Sequence, residues 1–382
     1  RTAVREVAEA ARISGDPVGH PLRAVRLSDW AYGIEDDARK AIDETFAAYQ
    51  NLKEKASALL PDLAMEAEQA SARELQLVDS LTSLLECAPH VTPAILAEAD
   101  WLQARTELAE WIDLGRGCAS RKAALMETYS EGLLSLELQD LREKLRARID
   151  AWFWKKWRLA SAVRKAVRSV RLDGKKPKDL NALEKELASA SQVVAEIGRL
   201  DDPGNCPSQL FGPFWQGHGS EWDQHRDVVE WVDQFRPILD QAPGANLDAK
   251  LQTRSAWVRI ATEGRALFAS GSPGAQAAAA FRTSLKQAAD QRTRLGGLLV
   301  MDEKEAWGGD DEPGAFERAD VTLKEICDNL SRLREWSHYQ SARKAATELR
   351  LTGLVDVLER GEIGTHDLEA LFLRSFADWW AR

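Results

Sequence analysis

The sequence predicts an all-α protein, an elongated helical domain with a long antiparallel coiled-coil hairpin. Three observations predict it. Ala, Leu, Glu and Arg dominate and β-branched residues are sparse, a bias that favours helix. Apolar residues recur at steps of three and four along most of the chain, which is the helical period. No alternation of period two is long enough to mark a strand. The 382 residues suffice for one large domain or two or three ordinary ones. Three consecutive parts are expected: an N-terminal helical segment over 1–90, long helices and the coiled-coil arm over 91–205, and an aromatic loop with a C-terminal helical bundle over 206–382.

Residues 1–13 read as a helix that stops at Gly15-Asp16-Pro17, and 17–33 as irregular chain. The next helix carries Asp36 and Asp37 at its positive end and closes at Leu59-Leu60-Pro61. Another is expected over 62–87, on Leu63, Ala67, Ala70, Leu77, Leu81, Leu84 and Leu85. Thr92-Pro93 signals a helix start, with an N-cap and then proline at the first position. Gly115 and Gly117 are expected to interrupt that helix.

From Leu134 a stripe runs through Leu138, Leu141, Leu145, Ile149 and Trp152, then Phe153, Trp157, Ala160, Val163, Val167 and Val170. It predicts one long helix with a coiled-coil seam. Leu172-Asp173-Gly174-Lys175-Lys176-Pro177-Lys178 is a turn. Leu180, Leu183, Leu187, Ala190, Val194, Ile197 and Leu200 then form a matched second stripe, giving an antiparallel hairpin over roughly 134–200.

Asp201-Asp202-Pro203-Gly204-Asn205 ends that arm, and an aromatic loop follows. Its rings must pack against something or remain exposed. Ser220 as N-cap with Asp223 at N3 approximates a capping box for a helix over 221–239. Further helices are expected over 247–269, 274–297 and 316–349, with two short ones to Arg382. Trp336, Tyr339, Leu349 and Leu354 are expected to pack their junction. Gly361 can take a positive φ after a helix, and Thr365 is the expected cap of the helix carrying Phe372, Phe376 and Trp379.

Charge is segregated. From Arg142 to Lys178 there are 14 Lys/Arg against three acids, an excess of 11, which leaves −21 on the remainder for a net charge of −10. Such segregation bears on partners rather than on fold. Cys87, Cys118, Cys206 and Cys327 form no CxxC pair, which argues against a zinc site or a disulfide framework and fits a reducing, cytoplasmic location. No run of about 18 apolar residues occurs, so no membrane partner is expected. Arg1 is not an initiator, so the chain is expected to begin inside a longer protein, with no signal peptide.

Sequence signatures of catalysis are missing. GxxxxGK[ST], GxGxxG, HExxH and GxSxG do not occur. Glu221 and Asp223 with His218 and His225 can be imagined as a metal or acid–base cluster. The alternative is a glycine turn followed by acids at a helix N-terminus. No catalytic residue, metal site or cofactor is therefore expected in this chain, and by itself it is not expected to be an enzyme.

The candidate nucleic-acid-binding residues are Lys155, Lys156, Arg158, Arg164, Lys165, Arg168, Arg171, Lys175 and Lys176. Lys and Arg bind phosphates by releasing counterions, and the interleaved Trp152, Trp154 and Trp157 can stack on bases. Two other readings stand beside this one: a solvated coiled-coil flank with the tryptophans in the seam, and docking on an acidic protein surface.

Two passages carry a resemblance. One is Leu210-Phe211-Gly212-Pro213-Phe214-Trp215-Gln216-Gly217 with Glu221-Trp222 and Trp231. The other is Leu333-Arg334-Glu335-Trp336-Ser337-His338-Tyr339 through Leu351-Thr352-Gly353-Leu354-Val355 and Leu358-Glu359-Arg360-Gly361-Glu362-Ile363 to Phe372, Phe376 and Trp379-Trp380. Together with the stretch from Leu133 to Val170, they resemble the helical insertion domain of large multidomain prokaryotic superfamily-one DNA helicases, the helicase–nuclease fusion type. The resemblance covers most of the chain from about residue 90. It implies an accessory stalk or arm of an ATP-dependent helicase that contacts DNA or positions neighbouring domains. ATP and Mg would be cofactors of the parent, and the helicase core and nuclease-like domains would be partners in the same polypeptide. The family's catalytic lysine and acidic pair have no counterpart here. The alternative is a structural or protein-interaction coiled-coil module without nucleic-acid binding.

Overall fold

The computed structural model describes residues 1–147 and 153–380, with the side chains of 153–156 and 378–380 outside the described residues. Among the described residues there are seventeen α-helices and no strand. In chain order they are α1 (Thr2–Ser14), α2 (Ile34–Leu59), α3 (Ala72–Glu86), α4 (Pro93–Ala97), α5 (Trp101–Met126), α6 (Leu138–Ala147), α7 (Phe153–Arg168), α8 (Leu180–Leu200) and α9 (Cys206–Phe211). Then follow α10 (Trp222–Asp240), α11 (Leu247–Thr262), α12 (Pro273–Leu299), α13 (Glu303–Trp307), α14 (Ala315–Asp328), α15 (Leu333–Glu348), α16 (Thr352–Glu359) and α17 (Leu368–Trp380). No helix among the described residues is long and apolar enough to cross a membrane.

The chain divides into two compact units. One comprises Arg1–Glu86, Gln241–Trp257 and Ala266–Arg382, the other Cys87–Asp240 and Val258–Arg265. The boundary expected at 90 lies beside the division between Glu86 and Cys87, whereas 205 lies inside the second unit. The N-terminal segment and the C-terminal bundle share a unit, and the aromatic loop belongs with the basic stretch. Pairing of distant apolar stripes sets these boundaries, and breaks in the local pattern do not reveal it.

In the first unit α2 packs along α12 and α14, and α1 along α15. Val4, Leu22, Leu299, Leu323, Trp336 and Tyr339 belong to one core. The Trp336 indole N–H donates to the Val25 carbonyl at 2.8 Å, and its ring stacks on His20 at 4.0 Å. Leu354 packs against this core, but Leu349, expected beside it, is 64% exposed. It lies just past the end of α15, beside Arg350 at φ 60°, so it leaves the helix before its side chain meets the core. Gly361 follows α16 at φ 71° as expected. Thr365 falls short of α17, which starts at Leu368. Arg5 holds α17 through the Glu369 carboxylate at 2.9 Å.

Several expected helices are divided or shortened, among them the one begun at Thr92-Pro93, which breaks into α4 and α5. Between α2 and α3 the chain makes a 3₁₀ turn, Leu60–Leu63, and Ala64 has φ 57°. Leu63, Ala67 and Ala70 are buried outside any α-helix. The start of α3 is set by a reciprocal cap: the Glu74 N–H donates to Ser71 Oγ at 3.2 Å, and the Ser71 N–H to the Glu74 carboxylate at 2.8 Å. The helix expected over 316–349 breaks after Asp328 into a 3₁₀ turn, Leu330–Arg332, before α15.

In the second unit α8 lies along both α5 and α6, and α6 packs on α7. Leu133, Leu141, Val163, Val167, Leu183 and Leu187 are buried together. Glu196 on α8 is 6% exposed and accepts from Arg121 at 2.6 Å and Gln192 at 2.8 Å. Burial alone would raise its pKa, but these bonds outweigh it and hold the carboxyl below its ordinary range. Helix α5 is not interrupted at Gly115 and Gly117. Gly115 admits the Trp222 ring, since a Cβ added there would come within 2.3 Å of it.

The long hairpin is not formed as expected. A continuous helix over 134–170 would separate its ends by about 55 Å at 1.5 Å per residue. Instead the Ser130 N–H donates to the Val170 carbonyl at 2.8 Å, and the Leu172 N–H to the Thr128 carbonyl at 3.0 Å. These bonds pin the two ends together, so the segment between them goes out as α6 and returns as α7. Ile149 and Trp152, in the middle of the expected seam, lie outside the described residues.

Candidate nucleic-acid interface

Helix α7 turns Ala160, Val163 and Val167 inward. At 3.6 residues per turn, Arg164 and Arg168 lie about a quarter-turn from the middle of that stripe. Both reach the turn that follows. Arg168 Nε donates to the Gly174 carbonyl at 2.8 Å, and Arg164 makes a longer 3.5 Å contact with the Lys178 carbonyl. Arg171 pairs with Asp173 at 2.9 Å, and its guanidinium lies 5.6 Å from the centre of the Tyr129 ring. The bond from Arg171, helped by the Lys175 N–H, holds the Asp173 carboxyl down to about 2. Arg164 and Arg168 therefore fasten the turn to α7, and Arg171 holds Asp173 within it. Gly174, at φ 63°, supplies the left-handed residue the turn requires.

Four of the remaining six candidates face solvent. Arg158, Lys165, Lys175 and Lys176 are exposed, as is Lys178, and none has an ion-pair partner among the described residues. The side chains of Lys155 and Lys156 lie outside the described residues.

The acids nearby are occupied elsewhere. Asp173 holds Arg171. Asp179 caps α8, accepting from the N–H groups of Asn181 and Ala182 at 2.8 and 3.2 Å. Glu184 pairs with Arg146 at 3.3 Å, and Glu186 accepts from the Tyr129 hydroxyl. Burial and then Glu186 push the Tyr129 hydroxyl far above its ordinary value. Local structure uses these carboxylates, and among the described residues none of them lies within ion-pair distance of a lysine ammonium of the turn. Trp157, expected in the seam, is 63% exposed. It is one position off the buried stripe and shares the α7 face of Arg164 and Arg168, which removes it from the core.

The aromatic loop behaves differently. Phe211 is 2% exposed. Its ring stacks on His225 at 4.4 Å and on Trp215 at 6.0 Å, and Trp222 meets Trp215 edge-on at 5.6 Å. The Trp215 indole N–H donates to the Leu200 carbonyl at 3.1 Å. Gly217, at φ 58°, allows the chain to pass Asp201, whose carboxylate would lie 2.0 Å from an added Cβ. Ser220 does not cap α10. Its hydroxyl accepts the Gln216 N–H at 2.9 Å and closes the loop on itself.

The imagined metal cluster is not assembled. His218 faces Asp201 at 2.9 Å, while His225 is 5% exposed among the rings. Burial lowers the His225 pKa below its ordinary value. Among the described residues no three of His, Cys, Asp and Glu gather in a way that could hold a metal ion. Beside the loop lies an open cavity of about 310 Å³, lined by His90, Phe214, Glu221, His225 and Arg265 among others. Arg265 meets His90 there at 2.8 Å. Sequence reasoning missed this meeting because residues 90, 214 and 265 carry no common local pattern.

Compared with known proteins, this chain matches no family model, no curated protein and no solved structure. What the fold and the site define is therefore an all-helical, two-unit chain whose cationic turn is exposed and whose aromatic loop is packed.

Proposed function

We propose that this chain is an accessory helical arm that contacts nucleic-acid phosphates through α7 and the turn after it, within an ATP-dependent superfamily-one helicase. One observation carries the reading. Arg158, Lys165, Lys175, Lys176 and Lys178 are exposed without ion-pair partners among the described residues, while the neighbouring acids are occupied. Cations in that state release counterions when they meet phosphates. The helicase context rests on the resemblance alone. In it, ATP and Mg belong to the motor, and this chain supplies grip or positions its neighbours.

The test is binding of a labelled oligonucleotide at two salt concentrations, with the full chain and with Lys165→Glu, Lys175→Glu and Lys176→Glu combined. Binding should weaken steeply with salt. The triple variant should bind more weakly and with a shallower salt slope, the slope falling by about one unit for each lysine that no longer meets a phosphate. Binding absent even at low salt, or unaffected by the charge reversals, overturns the proposal. The second reading, a protein-interaction module, is favoured by the net charge of −10, which disfavours nucleic acid away from this patch. It gains if a partner protein binds the turn while oligonucleotides do not.

A further inference from the structure

We infer that Trp157 makes this surface selective for single-stranded over duplex nucleic acid, its indole stacking on an unpaired base while the flanking cations hold the backbone. The inference rests on the nucleic-acid reading above and deepens it. Trp157 is the most exposed tryptophan among the described residues; Trp30 follows at 38%, while Trp231, Trp257, Trp307 and Trp336 are buried. No ring or guanidinium stacks on Trp157 among the described residues. A large exposed ring with no stacking partner among the described residues is available for one.

Its neighbours indicate the partner's chemistry. Arg158 follows it directly, and Lys165 lies two turns further along α7. Arg164 and Arg168, two and three turns along Trp157's own face, hold Lys178 and Gly174. The clasp thus keeps Lys175, Lys176 and Lys178 beside the end of α7. A base-sized apolar face is set at one end of a cationic track, the combination that binds single strands without reading their sequence. A duplex presents phosphates to the same track, but its base faces are covered by their neighbours. It can use the lysines and not the tryptophan.

The test is fluorescence polarisation of the full chain with a labelled oligothymidylate and with a duplex of equal length. Trp157→Ala should weaken single-strand binding about tenfold, within the range of one stacked base, and leave duplex binding within about twofold. Trp157→Phe should fall between. Because Trp157 is exposed, both variants should keep the helical circular dichroism of the parent. Equal losses on both nucleic acids, or no loss on the single strand, overturn the inference. The triple charge reversal separates the two proposals. If it weakens binding to both nucleic acids while Trp157→Ala weakens neither, only the stacking inference fails. If it changes neither, the nucleic-acid reading fails with it.

Discussion

The aromatic loop and the basic turn lie in the same unit, and in the sequence they look alike, with tryptophans set among polar residues. The loop folds inward. Phe211, Trp215, Trp222 and His225 meet as a cluster of rings, with Gly115 providing the clearance for Trp222 and Gly217 for Asp201. The turn faces outward, with Trp157 in solvent and its arginines bound to backbone carbonyls and one aspartate. The difference lies in the partners. An aromatic residue is buried when another element offers a surface without a Cβ in the way. Otherwise it stays on the face its helical phase assigns.

The largest expected effect breaks this contrast at its inner side. Phe211→Ala should destabilise the chain by about 3–5 kcal/mol, the range for truncating a buried aromatic. Trp157→Ala should change stability by less than about 0.5 kcal/mol. Chemical denaturation of the two variants measures both, and equal losses would show that Trp157 is packed.

A smaller effect tests the clearance. Gly115→Ala puts a methyl against the Trp222 ring and should cost about 1–3 kcal/mol through overpacking. A neutral or stabilising result would mean that the close approach of α5 and Trp222 is wrong.

The smallest effect concerns the turn. Asp173 titrates at about 2 instead of the ordinary 3.8. A depressed folded-state pKa stabilises fully above the unfolded value and loses that contribution as pH falls through the folded one. The clasp on Arg171 should therefore be intact above about pH 4 and weaken between there and pH 2. Amide protection at Gly174 to Lys176, taken relative to the intrinsic exchange rate at each pH, should report it, and Asp173→Asn should lower that protection above about pH 4 and flatten its fall towards pH 2.

Some of this was legible in the sequence. The Thr92-Pro93 start is formed, with Thr92 accepting from the Ile95 N–H at 3.3 Å, and the stripe from Leu180 to Leu200 is one helix. The turn at 172–178 is where its Gly and Pro place it. The signal for the start of α3 was also present, since Ser71 and Glu74 have capping-box spacing. It was masked by an apolar rhythm running through Leu63, Ala67 and Ala70, which are buried without being helical. The candidate site was half legible. Composition located the cations, and helical phase put Arg164, Lys165, Arg168 and Arg171 on one broad face, although α7 ends at Arg168 and leaves Arg171 in the turn. That Arg164 and Arg168 hold the next turn could not be read, because a free carbonyl leaves no mark in a residue list.

By itself the sequence determined that this protein is helical, where several of its helices start, and where its positive charge is concentrated. All three follow from propensity, period and charge, which act over a few neighbouring residues. Only the tertiary structure decided that α6 and α7 fold back on each other, that the chain's first and last segments share a core, and that Trp157 faces water while Trp222 rests on Gly115. Those outcomes depend on which apolar surfaces meet across long separations, and burial is non-directional. The same stripe can serve several partners until packing and close backbone approach choose one.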